Sequence, residues 1–132
     1  MGNAMNRGAD WLKQAELDLE AAEVSAAHSH HEWAAFQGQR SAEKAVKALV
    51  QHLHAAVRGH SIKTILDQLP PSVEPPEGLL DAARELDKVY ITARYPNGFV
   101  SGTPADYFTA QNSEQLIGYA RSILEFCRSR MA

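Results

Sequence analysis

The chain has 132 residues, 45% hydrophobic and 22% charged, with one cysteine and a formal charge of −3. That length suits one domain with its own core, and the lone Cys127 excludes an internal disulfide framework or a multi-cysteine zinc site, which makes a reducing, cytoplasmic setting the expectation. No apolar run reaches the ~18–20 residues of a spanning helix, the start lacks a signal-peptide core, and a mildly acidic chain argues against broad coating of nucleic acid.

Alanine is abundant, β-branched runs are scarce and apolar residues recur at helical spacing, which predicts an all-α fold: an up-and-down bundle of four or five helices with one short extra helix, in a single domain over residues 1–132. Met5 reads as the natural start, and residues 1–7 are expected to be a disordered or tag-derived beginning. The first helix is predicted over 8–28 with Asn6 as N-cap. Leu12, Ala15, Leu19, Ala22 and Ala26 form its core stripe. Leu17, Ala21 and Val24 form a second stripe on another flank, which points to contact with a second chain and a two-fold dimer.

The second helix is predicted over 31–57, with Ala35, Ala42, Val46, Leu49 and Leu53 on its core face. A short third helix follows from Ser61 to Leu69, with Ser61 or His60 as cap and Pro70-Pro71 as stop. Four prolines in the nine residues PPSVEPPEG make a stiff connector. The fourth helix is predicted from Leu79 to Ile91, with Leu79, Ala83, Leu86 and Tyr90 on one face. The last runs from Thr109 or Ala110 to Arg128, with Leu116, Ala120, Ile123 and Cys127 together. Between these two lies TARYPNGFVSGTPADYF. Half of the ten aromatic residues fall between Tyr90 and Phe108, so this segment is expected to be an ordered loop packed on the bundle, with Arg94 at its entrance and a tight turn at Pro96-Asn97-Gly98.

Chemistry is sought first on the second helix. With Arg40 at zero, Lys44 falls about 40° away, Lys47 about −20°, Trp33 and Gln51 about 20° and Phe36 about −40°, a basic–aromatic stripe facing away from the core. Cations on successive turns beside an aromatic ring can grip a phosphate and stack a base; the alternative is a solvated face whose charges pair with Glu43 and Glu32. Arg94, beside the Tyr95-Pro96 turn, offers a planar fork to a phosphate or carboxylate. Its alternative is a salt bridge to Asp87, Asp106 or Glu43. Arg94, Tyr95, Lys44, Arg40, Lys47 and Trp33 are therefore the candidate ligand-binding residues.

Other chemistries find less support. His28, His30 and His31 lie in a turn without metal-ligand spacing, so no metal is expected. Ser41 and Ser113 have no histidine nearby in sequence, and Cys127 sits on an apolar stripe, so no catalytic residue is assigned. No glycine-rich phosphate loop is present, and no cofactor is expected.

QRSAEKAVKALV in the second helix, RGHSIKTIL at the third, LDKVYITARYP closing the fourth and the Tyr107–Thr109 entry to the last helix resemble the HEPN domain (higher eukaryotes and prokaryotes nucleotide-binding), from about Trp11 to Phe126. The resemblance extends to stand-alone prokaryotic members and the C-terminal domain of sacsin. It implies a dimeric helical bundle that binds a nucleoside phosphate or RNA, in some members as a toxin–antitoxin pair with a minimal nucleotidyltransferase. Ribonuclease members carry an arginine followed by four to six residues and then histidine. After Arg94 those positions are Phe99, Val100 and Ser101, so the expectation is a binding module without catalysis of its own, with a divergent ribonuclease toxin as the alternative.

Overall fold

Alanine spacing sets how closely the first two helices approach. In the computed structural model, which describes residues 6–132, α1 (Gly8–Ala27) and α2 (His31–His52) form an antiparallel hairpin. Ala15, Ala22, Ala34, Ala35, Ala42 and Ala45 are fully buried along it. Both of its ends close without glycine. Ser29 takes a left-handed φ of 64° while His30 N–H reaches back to the Ser25 carbonyl (2.9 Å). His54 does the same at φ 56°, with Ala55 N–H on the Val50 carbonyl (3.0 Å). This left-handed closure stops α2 five residues before the predicted end at 57, and Ala55–Val57 continue as irregular chain.

Of the predicted beginning, residues 1–5 lie outside the described residues. Asn6 and Arg7 are tied to α2: Asn6 Nδ2 donates to the Gln51 carbonyl (2.8 Å) and Arg7 N–H to Gln51 Oε1 (3.2 Å). The N-cap of α1 is Arg7 rather than the expected Asn6, whose Oδ1 accepts from Gly8 N–H (2.9 Å) in a turn just ahead of the helix.

The short α3 (Ile62–Asp67) is capped by Ser61, whose Oγ accepts from Thr64 N–H (3.1 Å). Asp87 strengthens the cap by accepting from Ser61 Oγ, Ile62 N–H and Lys63 N–H. After the proline connector, α4 (Glu77–Asp87) is interrupted at Lys88 and resumes as the one-turn α5 (Val89–Thr92), where one helix was predicted. The aromatic segment is ordered, as expected. It contains a 3-10 turn at Pro96–Gly98 and a short α6 (Pro104–Tyr107). The Phe99 and Tyr107 rings stack at 4.1 Å, and Tyr107 donates to the Ser101 carbonyl (2.7 Å).

The last helix, α7 (Ala110–Ser129), lies against α1, α2 and α4 and buries Leu116, Ile117, Ala120, Ile123, Leu124 and Cys127. It runs antiparallel to α1, with Arg121 paired to Glu23 and Arg128 to Glu16 (2.6 Å). The described residues contain no strand, and among them no helix is long and apolar enough to cross a membrane.

Candidate functional site

Three of the predicted cations do not face open solvent. The Arg40, Lys44 and Lys47 side chains are only 28%, 21% and 25% exposed, because α2 is covered on this side by α1 and the segment leading into α3. Each is paired. Arg40 Nη1 donates to Glu43 Oε1 (2.9 Å), Lys47 Nζ to Glu43 Oε2 (2.8 Å) and Lys44 Nζ to Asp18 of α1 (2.6 Å). The stripe expected to point away from the bundle is thus a set of partly buried ion pairs, and three acids of α1, Glu16, Asp18 and Glu23, pair with α2 or α7.

Glu43 organises this set from full burial. Besides the two cations, its carboxylate accepts from Gln39 Nε2 (3.1 Å) and contacts His60 Nδ1 (2.9 Å). Burial pushes the Glu43 carboxyl up, but hydrogen bonds from Lys47, His60 and Gln39 and the charge of Arg40 together outweigh it and hold the group below its ordinary value. A carboxylate only accepts, so the hydrogen of the imidazole sits on Nδ1. Nε2 has no partner among the described residues, on a side chain that is 55% exposed.

Arg94 does not take the salt bridge that was the alternative expectation. Among the described residues it makes no salt bridge: Asp87 caps α3, Asp106 caps α6 and Glu43 is taken by other partners. Its guanidinium carbon instead lies 4.5 Å from the Phe36 ring centroid and 5.0 Å from those of Tyr90 and Tyr95. Nε donates to the Tyr90 carbonyl (3.2 Å). Neither terminal nitrogen has a hydrogen-bond partner among the described residues. Arginine suits this setting because its planar, weakly hydrated fork stacks on rings and keeps its donors at the rim.

The two groups meet through Tyr90. His60 stacks on the Tyr90 ring (5.0 Å between centroids, 18° between planes), so the centres of His60 and the Arg94 fork are at most twice that distance apart. Trp33 joins from the other side, edge-on to Phe36 at 6.0 Å, and both Trp33 and Tyr95 are about half exposed. The structure therefore gathers Arg94, Tyr95 and Trp33 on one aromatic surface. Arg40 and Lys47 gather on Glu43 behind it, and Lys44 stands apart on Asp18, at a cleft of about 410 Å³ that also borders Arg7 and Trp11.

His60, expected only as a possible cap of α3, instead anchors its segment to Glu43, for which the sequence suggested no role beyond local pairing. Nothing local marks a glutamate as the buried partner of a histidine seventeen residues away. Other expected centres change little. Among the described residues no three His, Cys, Asp or Glu side chains converge as a metal site. Ser113 does find a histidine, with His31 Nδ1 2.8 Å from its Oγ, but that residue is 1% exposed and its Oγ also contacts the Ala110 carbonyl (3.1 Å), so it is no accessible nucleophile. Burial of Cys127 pushes its thiol up to about 12.

Comparison with known proteins gives one consistent result. The model of the HEPN domain matches residues 9–130. TT1696 from Thermus thermophilus is 39% identical, with a TM-score of 0.93 over 96% of this chain and 99% of that one. ST0689, described as an archaeal HEPN homologue, is 38% identical with a TM-score of 0.83 over 97% and 100%. An HEPN domain protein of Thermotoga maritima, tm0613, is 36% identical with a TM-score of 0.75 over 91% and 95%. A toxin candidate of Methanocaldococcus jannaschii, MJ1304, is 23% identical over 124 residues, covering 87% of this chain and 82% of its own.

Proposed function

The chain belongs to the HEPN domain family, and on that premise we propose that it is a homodimeric binding module that takes the phosphate of a nucleotide or RNA at Arg94, without chemistry of its own. The observation carrying this reading is the Arg94 guanidinium, fixed among Phe36, Tyr90 and Tyr95 with both terminal nitrogens unclaimed among the described residues. A fork already held by three rings loses little freedom on meeting a phosphate. Tyr95 and Trp33 offer ring faces for a base. Arg40 and Lys47 contribute positive field rather than direct grips, since each would first have to leave Glu43, and Lys44 stands apart, neutralised by Asp18. Titration calorimetry with nucleoside mono-, di- and triphosphates tests the reading. Binding by the wild type that Arg94→Ala abolishes supports it, and binding unchanged in Arg94→Ala refutes the site.

Leu17 and Val24, 43% and 55% exposed on α1, supply the apolar stripe for the dimer. A minimal nucleotidyltransferase is the protein partner that family membership favours, and co-purification with such an enzyme tests it. The divergent ribonuclease toxin is a second reading, favoured by the likeness to MJ1304 and by the carboxylate-bound imidazole that shares the Tyr90 ring with Arg94. Growth arrest with RNA decay on expressing the wild type, lost in His60→Ala, would favour it. Healthy growth with intact RNA would remove it.

A further inference from the structure

Seven large apolar side chains are exposed among the described residues. Leu17 and Val24 belong to the α1 stripe, and Trp33 and Tyr95 to the surface around Arg94. The three left without a role, Ile91, Val100 and Tyr107, all lie on α5, on α6 or on the loop between them. Val100 is wholly exposed, yet the loop that carries it is built to one shape. Phe99 and Tyr107 stack at 4.1 Å, Tyr107 donates to the Ser101 carbonyl (2.7 Å), and Thr103 N–H donates to Asp106 Oδ2 (2.8 Å) in a capping box. Gly102 takes φ 83° where a Cβ would meet Asp106 Oδ2 at 2.8 Å. Next to this loop a groove of about 330 Å³ opens between α5 and α7, with Val89, Phe99, Phe108 and Leu116 in its lining. We propose that this face is a self-docking surface, in which Val100 of each copy seats in the groove of the other about a two-fold axis. It is separate from the α1 stripe and independent of the phosphate reading.

Shape and charge both favour a second copy over an unlike partner. An isologous contact needs one patch that complements itself, and here a projecting side chain and a hole stand side by side, since Phe99, the neighbour of Val100, is part of the groove. The groove is also lined by Glu85 and Lys88, which pair at 2.7 Å with side chains 45% and 69% exposed. Such a surface pair holds its members weakly, so each is free to take a new partner. Turned onto itself by a two-fold, a face with one acid and one base sets each opposite its complement. Little else opposes the approach. From Val89 to Phe108 the only other charged residues are Arg94, packed on Phe36 of α2, and Asp106, used in the α6 cap. A loop already held in one shape also loses little freedom on docking. One side chain and one groove per copy make a contact of the small, transient class, which forms above the micromolar range.

Sedimentation of the wild type from micromolar to millimolar concentration should show an association step beyond the species present at micromolar. Val100→Asp removes a seated valine from both copies and should raise the dissociation constant of that step about a hundredfold. Its circular dichroism spectrum should not change, because the side chain is wholly exposed. Leu17→Lys should leave the step in place, which separates this face from the α1 stripe. The charges give the second arm. Lys88→Glu leaves two acids at the groove and Glu85→Lys two bases, so each variant alone should associate more weakly than the wild type and an equal mixture of the two should recover. A wild type that shows no such step, a step that Val100→Asp leaves unchanged, or a mixture no stronger than either charge variant would overturn the inference. Loss of the step in Leu17→Lys as well as in Val100→Asp would also overturn it, since the two faces would then be one.

Discussion

Replacing Glu43 by glutamine keeps the side-chain shape and removes one charge from the centre of the ion cluster. Arg40 and Lys47 would then be 28% and 25% exposed with no counter-ion. Removing one partner of a fully buried pair costs about 3–5 kcal/mol, and the partial exposure of both cations lets water recover some of that, so we expect a loss of about 2–3 kcal/mol at pH 7. For a urea slope of about 1–2 kcal/mol/M, the unfolding midpoint drops by roughly 1–3 M, read at one fixed protein concentration because a dimer would add mass action. The pH dependence gives the sharper test. The Glu43 carboxyl is held below its ordinary value of 4.5 in the native state, so the stability it adds is present in full above that value and is lost as pH falls through the native one. Glutamine does not titrate. The gap between wild type and Glu43→Gln should therefore be constant from pH 8 to about 6 and close progressively below about pH 4.5. A gap under about 1 kcal/mol at pH 7, or one that persists undiminished at acid pH, would refute the charge argument.

Three further outcomes follow from other parts of the fold. His54→Gly relieves a left-handed residue, a strain of about 1–2 kcal/mol, against about 0.5–1 kcal/mol of added backbone entropy in the unfolded chain; the net gain of about 0.5–1 kcal/mol should raise the urea midpoint, and a lowered midpoint would contradict it. Cys127, fully buried with its thiol pushed up to about 12, should resist Ellman's reagent at pH 8 in the native protein and react at once in denaturant; rapid native labelling would disprove that burial. Leu17→Lys, at an exposed position of α1, should shift the proposed dimer to monomer in light scattering at micromolar concentration with little change in helix content; a wild-type monomer would refute the dimer, and a dimer unchanged by the substitution would place its interface elsewhere.

The architecture was legible where its signals are local. Alanine and leucine at helical spacing mark α1, α2 and α7, Ser61 caps α3, and aromatic density marks the 92–108 segment as ordered. The end of α2 was not legible, because Ala55, Ala56 and Val57 continue a helical pattern and the residue that turns left-handed is a histidine rather than a glycine. The site was legible only in part. Arg94 and Tyr95 stand out beside a proline turn. The rings that fix Arg94 include Phe36, which lies on another helix and meets it only once the bundle closes. The basic stripe was misplaced in depth. Helical angles give direction around α2 but not what stands opposite, and Asp18 and the 53–60 connection cover that face. The buried carboxylate of Glu43 is settled by partners on two separate segments, and no single spacing carries that information.

The connection between α2 and α3 has a consequence for how the site behaves in time. Residues 56–60 make no backbone hydrogen bond among the described residues, most of them are exposed, and Gly59 sits at φ 97°. Such a stretch opens at a far smaller free energy than the helices on either side. His60 rides on it, while Arg94 and Tyr90 are anchored to the bundle. Arg94 and Tyr90 form a fixed wall and His60 a hinged arm against it, latched by a single contact from Nδ1 to Glu43 and one stacked ring. Amide protons of this connection should exchange fastest in the interior of the chain, and a ligand that engages His60 should slow them first, by the factor one plus its concentration over its Kd.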